Sequence, residues 1–235
     1  HFAALFSLSG MGAAKLFMWP VALSIAVILS SLSGLCGLRT CGRWIALILL
    51  FTSTAFIFLI SDGKTDLTAA ALGLCAFYWL AAAVKPLPVS ILILAGLLTG
   101  FSIAAKNTYL LCFAPPMILL VMGKLASGPA NGTAAIRAGH LTLGITVFVF
   151  FSALAILPNI VKNFSFFQEP FAPFYYLSGE RKTYLDQVWM TPEITRRILM
   201  IYPLSLSFGV YNGQYGNLSP LFIAFLPLIT LLKSA

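Results

Sequence analysis

The chain has 235 residues, of which 60% are hydrophobic and only 9% charged, with a mean hydropathy of +0.98. A soluble domain carries about 25% charged residues, so this composition excludes a water-soluble globular protein and predicts an all-α integral membrane protein. The formal net charge of +8 is read through topology, since basic residues are retained on the cytoplasmic side of membranes, and no nucleic-acid partner is expected.

Residues 1–15 are apolar but rich in Gly and Ser, and read as the end of a helix or an interfacial segment. No positively charged region precedes an apolar core there, so no signal peptide is expected. Leu16 to Leu38 is the first full span, closed by the basic turn Arg39-Thr40-Cys41-Gly42-Arg43. Trp44 to Ile60 returns and ends in Ser61-Asp62-Gly63-Lys64-Thr65-Asp66, residues 61–66. Leu67 to Val84, Val89 to Ala105, Thr108 to Gly123 and His140 to Pro158 follow as spans three to six. Trp44 to Ile60 and Leu67 to Val84 are each long enough to cross a bilayer. Pro115-Pro116 is expected to kink or break the fifth by removing backbone hydrogen bonds.

Residues 159–217 are less apolar and strongly aromatic from Phe164 to Tyr176, as suits a layer at the lipid headgroups. Within it, Thr191-Pro192-Glu193 starts a short helix carrying Arg196 and Arg197 toward headgroups. Leu218 to Leu232 is a proline-interrupted seventh span within residues 218–235. The expected organisation is six spans in residues 1–158, an extracytoplasmic juxtamembrane region at 159–217, and a seventh span.

Charge supports that parse. Alternating faces place Arg39, Arg43, Lys85, Lys124, Arg137 and Lys233 on one side without a single acid. All of Asp62, Asp66, Glu169, Glu180, Asp186 and Glu193 fall on the other. The basic side is therefore cytoplasmic, and segments 61–66 and 159–217 are extracytoplasmic. Cys36, Cys41, Cys75 and Cys112 form no CxxC pair and read as reduced packing residues. With only His1 and His140 in the chain, a histidine-based metal site has almost no ligands.

Carboxylates and an ammonium at the mouth of a membrane helix are costly unless water, a partner or a ligand receives them. Asp66 precedes Leu67-Thr68 and also suits a helix N-cap, while Asp62-Gly63 suits a turn. Lys64 and Lys106 are placed to hold a phosphate as point charges, or to snorkel at the interface. Glu169 reads as a solvated loop charge and His140 as structural.

Three stretches together resemble the GT-C superfamily of polytopic membrane glycosyltransferases, in particular bacterial relatives of protein mannosyltransferases and aminoarabinose transferases. They are Gly63-Lys64-Thr65-Asp66-Leu67; Gly96-Leu97-Leu98-Thr99-Gly100 with Lys106-Asn107-Thr108-Tyr109; and Pro158-Asn159-Ile160-Val161-Lys162-Asn163 with Gln168-Glu169-Pro170. The second is similar to the family's "GLxxGxxxxxKY" hairpin with Asn-Thr inserted before the tyrosine. The third is similar to "PWxxRN…GNPxxPF", with Lys162 for Arg and Gln-Glu for Gly-Asn.

The resemblance implies transfer of a sugar from a polyprenyl-phosphate donor to an extracytoplasmic acceptor, in the cell envelope at a bacterial inner (plasma) membrane. It marks Asp66 and Asp62 as catalytic candidates and Lys64, Lys106 and Lys162 as phosphate ligands. A divalent metal ion, if one is needed, would fall to Asp66. The family's first acid, in an upstream extracytoplasmic loop, has no counterpart here, and the chain is expected to be a fragment of a longer protein. Membrane lipids, and other membrane subunits, are the remaining expected partners. The alternatives are a non-catalytic structural subunit of a larger membrane complex, which the missing acid favours, and a transporter of lipid-linked substrates, which charges buried midway along a span would favour.

Overall fold

The computed structural model describes residues 2–62, 65–126 and 134–170. Among them the fold is all-helical: α1 (Phe2–Leu35), α2 (Thr40–Thr52), α3 (Thr54–Asp62), α4 (Thr65–Ala82), α5 (Val89–Ala105), α6 (Tyr109–Cys112), α7 (Ala114–Ala126) and α8 (Ala134–Phe167).

Among the described residues, three helical stretches are long and apolar enough to cross a membrane: Lys15–Leu35, Thr65–Ala82 and Leu141–Phe166. A fourth arises if α2 and α3 are one broken span. Val89–Ala105 and Ala114–Ala126 are shorter apolar helices, and the predicted seventh span lies outside the described residues. Trp44 to Ile60 is two helices bent by 59° instead of one rod. The break falls at Thr52-Ser53-Thr54, where Ser53 is extended (φ −69°, ψ 119°) and the Thr52 hydroxyl donates to the Ile48 carbonyl at 2.8 Å. Such back-bonding competes with the helix ladder and bends it.

The fifth predicted span is also broken. Phe113 separates α6 from α7, and α7 is 13 residues long. Pro115 and Pro116 stand in the first turn of α7, where a missing N–H leaves no ladder bond unmade. α5 keeps its expected bounds, but its 17 residues are at the lower edge of a spanning length. Residues 1–15 are no separate segment, because α1 runs unbroken from Phe2 through Pro20 to Leu35. α8 continues past Pro158 to Phe167, so residues 159–167 are helix. The aromatic segment from Phe171 onward, Arg196, Arg197 and the seventh span lie outside the described residues.

Two apolar clusters form the interior. One joins Met18, Ala22 and Ile25 of α1 to Phe56, Ile60 and Leu67. The other joins Ala76, Leu80, Leu92, Ala95, Met117, Val121 and Phe148 across α4, α5, α7 and α8. α5 is the central element, packed most extensively on α8 and then on α4. Close approach to α8 depends on Gly96 and Gly100, spaced as GxxxG. A Cβ on Gly96 would lie 2.7 Å from the Phe148 carbonyl, and one on Gly100 would lie 2.7 Å from the Ala155 Cβ. Many large apolar side chains face outward, such as Leu16, Trp19, Val27, Leu143 and Phe150. This is the surface expected of a chain whose solvent is hydrocarbon.

Candidate functional site

The site forms where the start of α4 and the end of α5 meet beside α8. α4 begins at Thr65, so Asp66 lies in its first turn instead of at the cap position expected from sequence. The positive end of the helix dipole favours a carboxylate there. α5 ends at Ala105, and Lys106 follows in extended conformation (φ −151°, ψ 107°), its N–H still donating to the Ser102 carbonyl. The negative end of that helix favours a cation. α4 and α5 are antiparallel neighbours, so the two complementary ends coincide, and Lys106 Nζ forms an ion pair with Asp66 Oδ1. Their side chains are 33% and 24% exposed respectively, which leaves the pair open to a ligand yet partly screened from water.

A tight turn follows. Tyr109 N donates to the Lys106 carbonyl at 2.9 Å and Leu110 N to that of Asn107 at 3.0 Å, reversing the chain into α6. Asn159 Nδ2 donates to Asn107 Oδ1 at 3.4 Å, joining the turn to α8 about two turns before its end. Lys162 is exposed three residues further along α8, on the flank that carries Asn159 by helical spacing. One position on, Asn163 is buried and its Nδ2 donates to the Pro170 carbonyl at 3.3 Å. Gln168, at φ +56°, ends α8 in the left-handed conformation. Glu169 follows it and is 9% exposed, which corrects its reading as a solvated charge.

Of the five residues singled out from sequence, Asp66 and Lys106 are brought into direct contact. Lys162 shares their end of the molecule, on α8. Asp62 closes α3, and Lys64 lies outside the described residues. No group of three or more His, Cys, Asp or Glu converges among the described residues.

Sequence reasoning missed the amide pair Asn107–Asn159, whose members are 52 residues apart. It missed two further links as well. Ser102 Oγ donates to the Ala69 carbonyl at 2.8 Å, and Ser152 Oγ to that of Gly96 at 3.0 Å. Each ties α5 to a neighbour below the site. The one available signal was a hydroxyl or amide in an otherwise apolar helix, where a polar group must find a partner. Comparison with family models, curated proteins and solved structures finds no match for the chain.

Proposed function

We propose that the chain is a membrane-embedded transferase of the GT-C type, acting on a polyprenyl-phosphate-linked sugar at the extracytoplasmic face of a bacterial plasma membrane. The observation that carries this reading is the Asp66–Lys106 pair, a carboxylate and an ammonium held together where helix ends meet. Glycosyl transfer needs both groups. A carboxylate positions the acceptor hydroxyl and receives its proton, and a cation stabilises the phosphate as it departs.

In the resting protein the two charges neutralise each other. A donor phosphate bound at Lys106 would displace Asp66 and free its carboxylate for the acceptor. The acceptor oxygen then bonds to the anomeric carbon as the bond from that carbon to the phosphate oxygen breaks. Lys162, exposed on α8, is a second cation for the donor, while Asp62 and Lys64 flank the start of α4. The test is transfer of radiolabelled sugar from polyprenyl phosphate by membranes carrying the full chain. Asp66→Asn and Lys106→Gln should each abolish transfer while leaving the protein folded; undiminished transfer by both variants would sink the reading.

A second reading has its own support. The same contacts that build the site also clamp α4, α5 and α8 together, as a structural subunit of a larger membrane complex would require. Stable co-purification with another membrane chain, unaffected by Asp66→Asn and without transfer activity, would favour it. The transporter alternative gains nothing, since no charged residue among those described sits midway along a span.

A further inference from the structure

At the other end of α4, 18 residues from its start and so about 27 Å away, lies a groove with a different character. It has a volume of about 330 Å³ and is formed by the end of α4, the Lys85–Pro88 connection and the start of α5. Trp79 and Ile91 supply apolar walls, Val84 and Pro86 the rim, and Lys85 its charge. Lys85 is exposed and makes no ion pair or side-chain hydrogen bond among the described residues. The described acids, Asp62, Asp66 and Glu169, all belong to the opposite end of the bundle.

A helix C-terminus beside the groove would ordinarily repel an anion, because its last carbonyls carry partial negative charge. Here that charge is covered. Lys124 reaches across from α7, and its Nζ donates to the carbonyls of Ala81 at 2.8 Å and Ala83 at 3.1 Å. The result is an apolar slot lined by Trp79, with the exposed ammonium of Lys85 unpaired among the described residues.

We propose that this groove binds an anionic glycerophospholipid, with the lipid phosphate on Lys85 and the first part of an acyl chain against Trp79 and Ile91. The volume suits a glycerol phosphate and the upper methylenes, while the rest of the lipid stays in the bilayer. Charge complementarity selects the occupant. A zwitterionic lipid brings its own cation to a lysine that has no acid nearby among the described residues, whereas an anionic one brings a counter-charge.

The test uses the full chain reconstituted in phosphatidylcholine vesicles containing equal mole fractions of either brominated phosphatidylglycerol or brominated phosphatidylcholine. Bromine quenches tryptophan on contact, and the Trp79 share of the emission is obtained by difference from Trp79→Phe. Brominated phosphatidylglycerol should reach the Trp79 site with about a fivefold preference, the worth of one lysine at an anionic surface. Lys85→Gln should remove the preference, and Lys85→Arg should retain it. Equal quenching by the two lipids, or a preference that survives Lys85→Gln or disappears in Lys85→Arg, overturns the proposal. Relief of quenching by excess inorganic phosphate overturns it too, by assigning the groove to a soluble anion.

Discussion

Asp66 and Lys106 illustrate how one contact serves two purposes. An ion pair between partly exposed side chains is ordinarily worth about 1 kcal/mol or less, but this one joins two helix ends whose dipoles favour the same charges. A double-mutant cycle on Asp66→Asn and Lys106→Gln, followed by thermal unfolding in detergent, should give a coupling of about 1 kcal/mol. Loss of transfer by either variant beyond what that small coupling explains would separate a chemical role from a clamp. Thr99 presents the opposite case. The residue is 1% exposed and its hydroxyl is without a hydrogen-bond partner among the described residues, so it carries a desolvation cost with no return. Replacing an unpaired buried polar group by an apolar one of the same shape removes that cost. Thr99→Val should therefore leave stability unchanged or raise it by about 1 kcal/mol, read as a higher unfolding temperature.

At the level of elements, α5 is organised by what its small residues permit. Gly96 and Gly100 let α8 approach until a Cβ on either would collide with α8, and backbone and Cβ atoms there cannot swing aside as a side-chain tip can. Gly100→Ala should destabilise the protein by about 1–3 kcal/mol through overpacking. Gly123→Ala provides the contrast, because nothing lies within 4 Å of a Cβ there. Its removal of backbone freedom from α7 should stabilise by up to about 1 kcal/mol. Both are measured by denaturation of the purified protein in the same detergent. Ser102 is fully buried on the α4 side of α5. Ser102→Ala should cost roughly 0.6 kcal/mol, the average for an interhelical hydrogen bond in a membrane protein. The glycine variants matter for the site as well, since a displaced α8 would carry Asn159 away from Asn107.

For the whole molecule, the described charges sort to two ends. Arg43 donates to the Leu38 carbonyl at 3.2 Å in the basic turn, and Lys124 covers the end of α4. Asp66 and Lys106 meet at the opposite end, where the exposed Ser61 also lies. The proposed orientation makes a labelling prediction. Cys36 and Cys41 are exposed beside the basic turn, and a membrane-impermeant maleimide should reach them only after cells are permeabilised. A cysteine introduced by Ser61→Cys, in a background where Cys36, Cys41 and the exposed Cys112 are serine, should label in intact cells. The reverse pattern would invert the topology and remove the extracytoplasmic site with it.

Composition by itself determined that this chain belongs in a membrane and is helical there, because hydrocarbon leaves the backbone no other partners than its own ladder. Local spacing also placed α4 and α5 within two residues, and marked Asp66 and Lys106 as charges needing an explanation. Sequence could not show that these two explain each other. They are 40 residues apart in the chain, and their meeting depends on the antiparallel packing of α4 on α5. Pro115-Pro116 marked the interruption of the fifth run, which falls at Phe113, whereas the break at Ser53 depends on local hydrogen bonds that hydropathy does not register. Glu169 was misjudged for a related reason: solvation was inferred from its proline-bracketed loop, and only the packed end of α8 decided that it is buried.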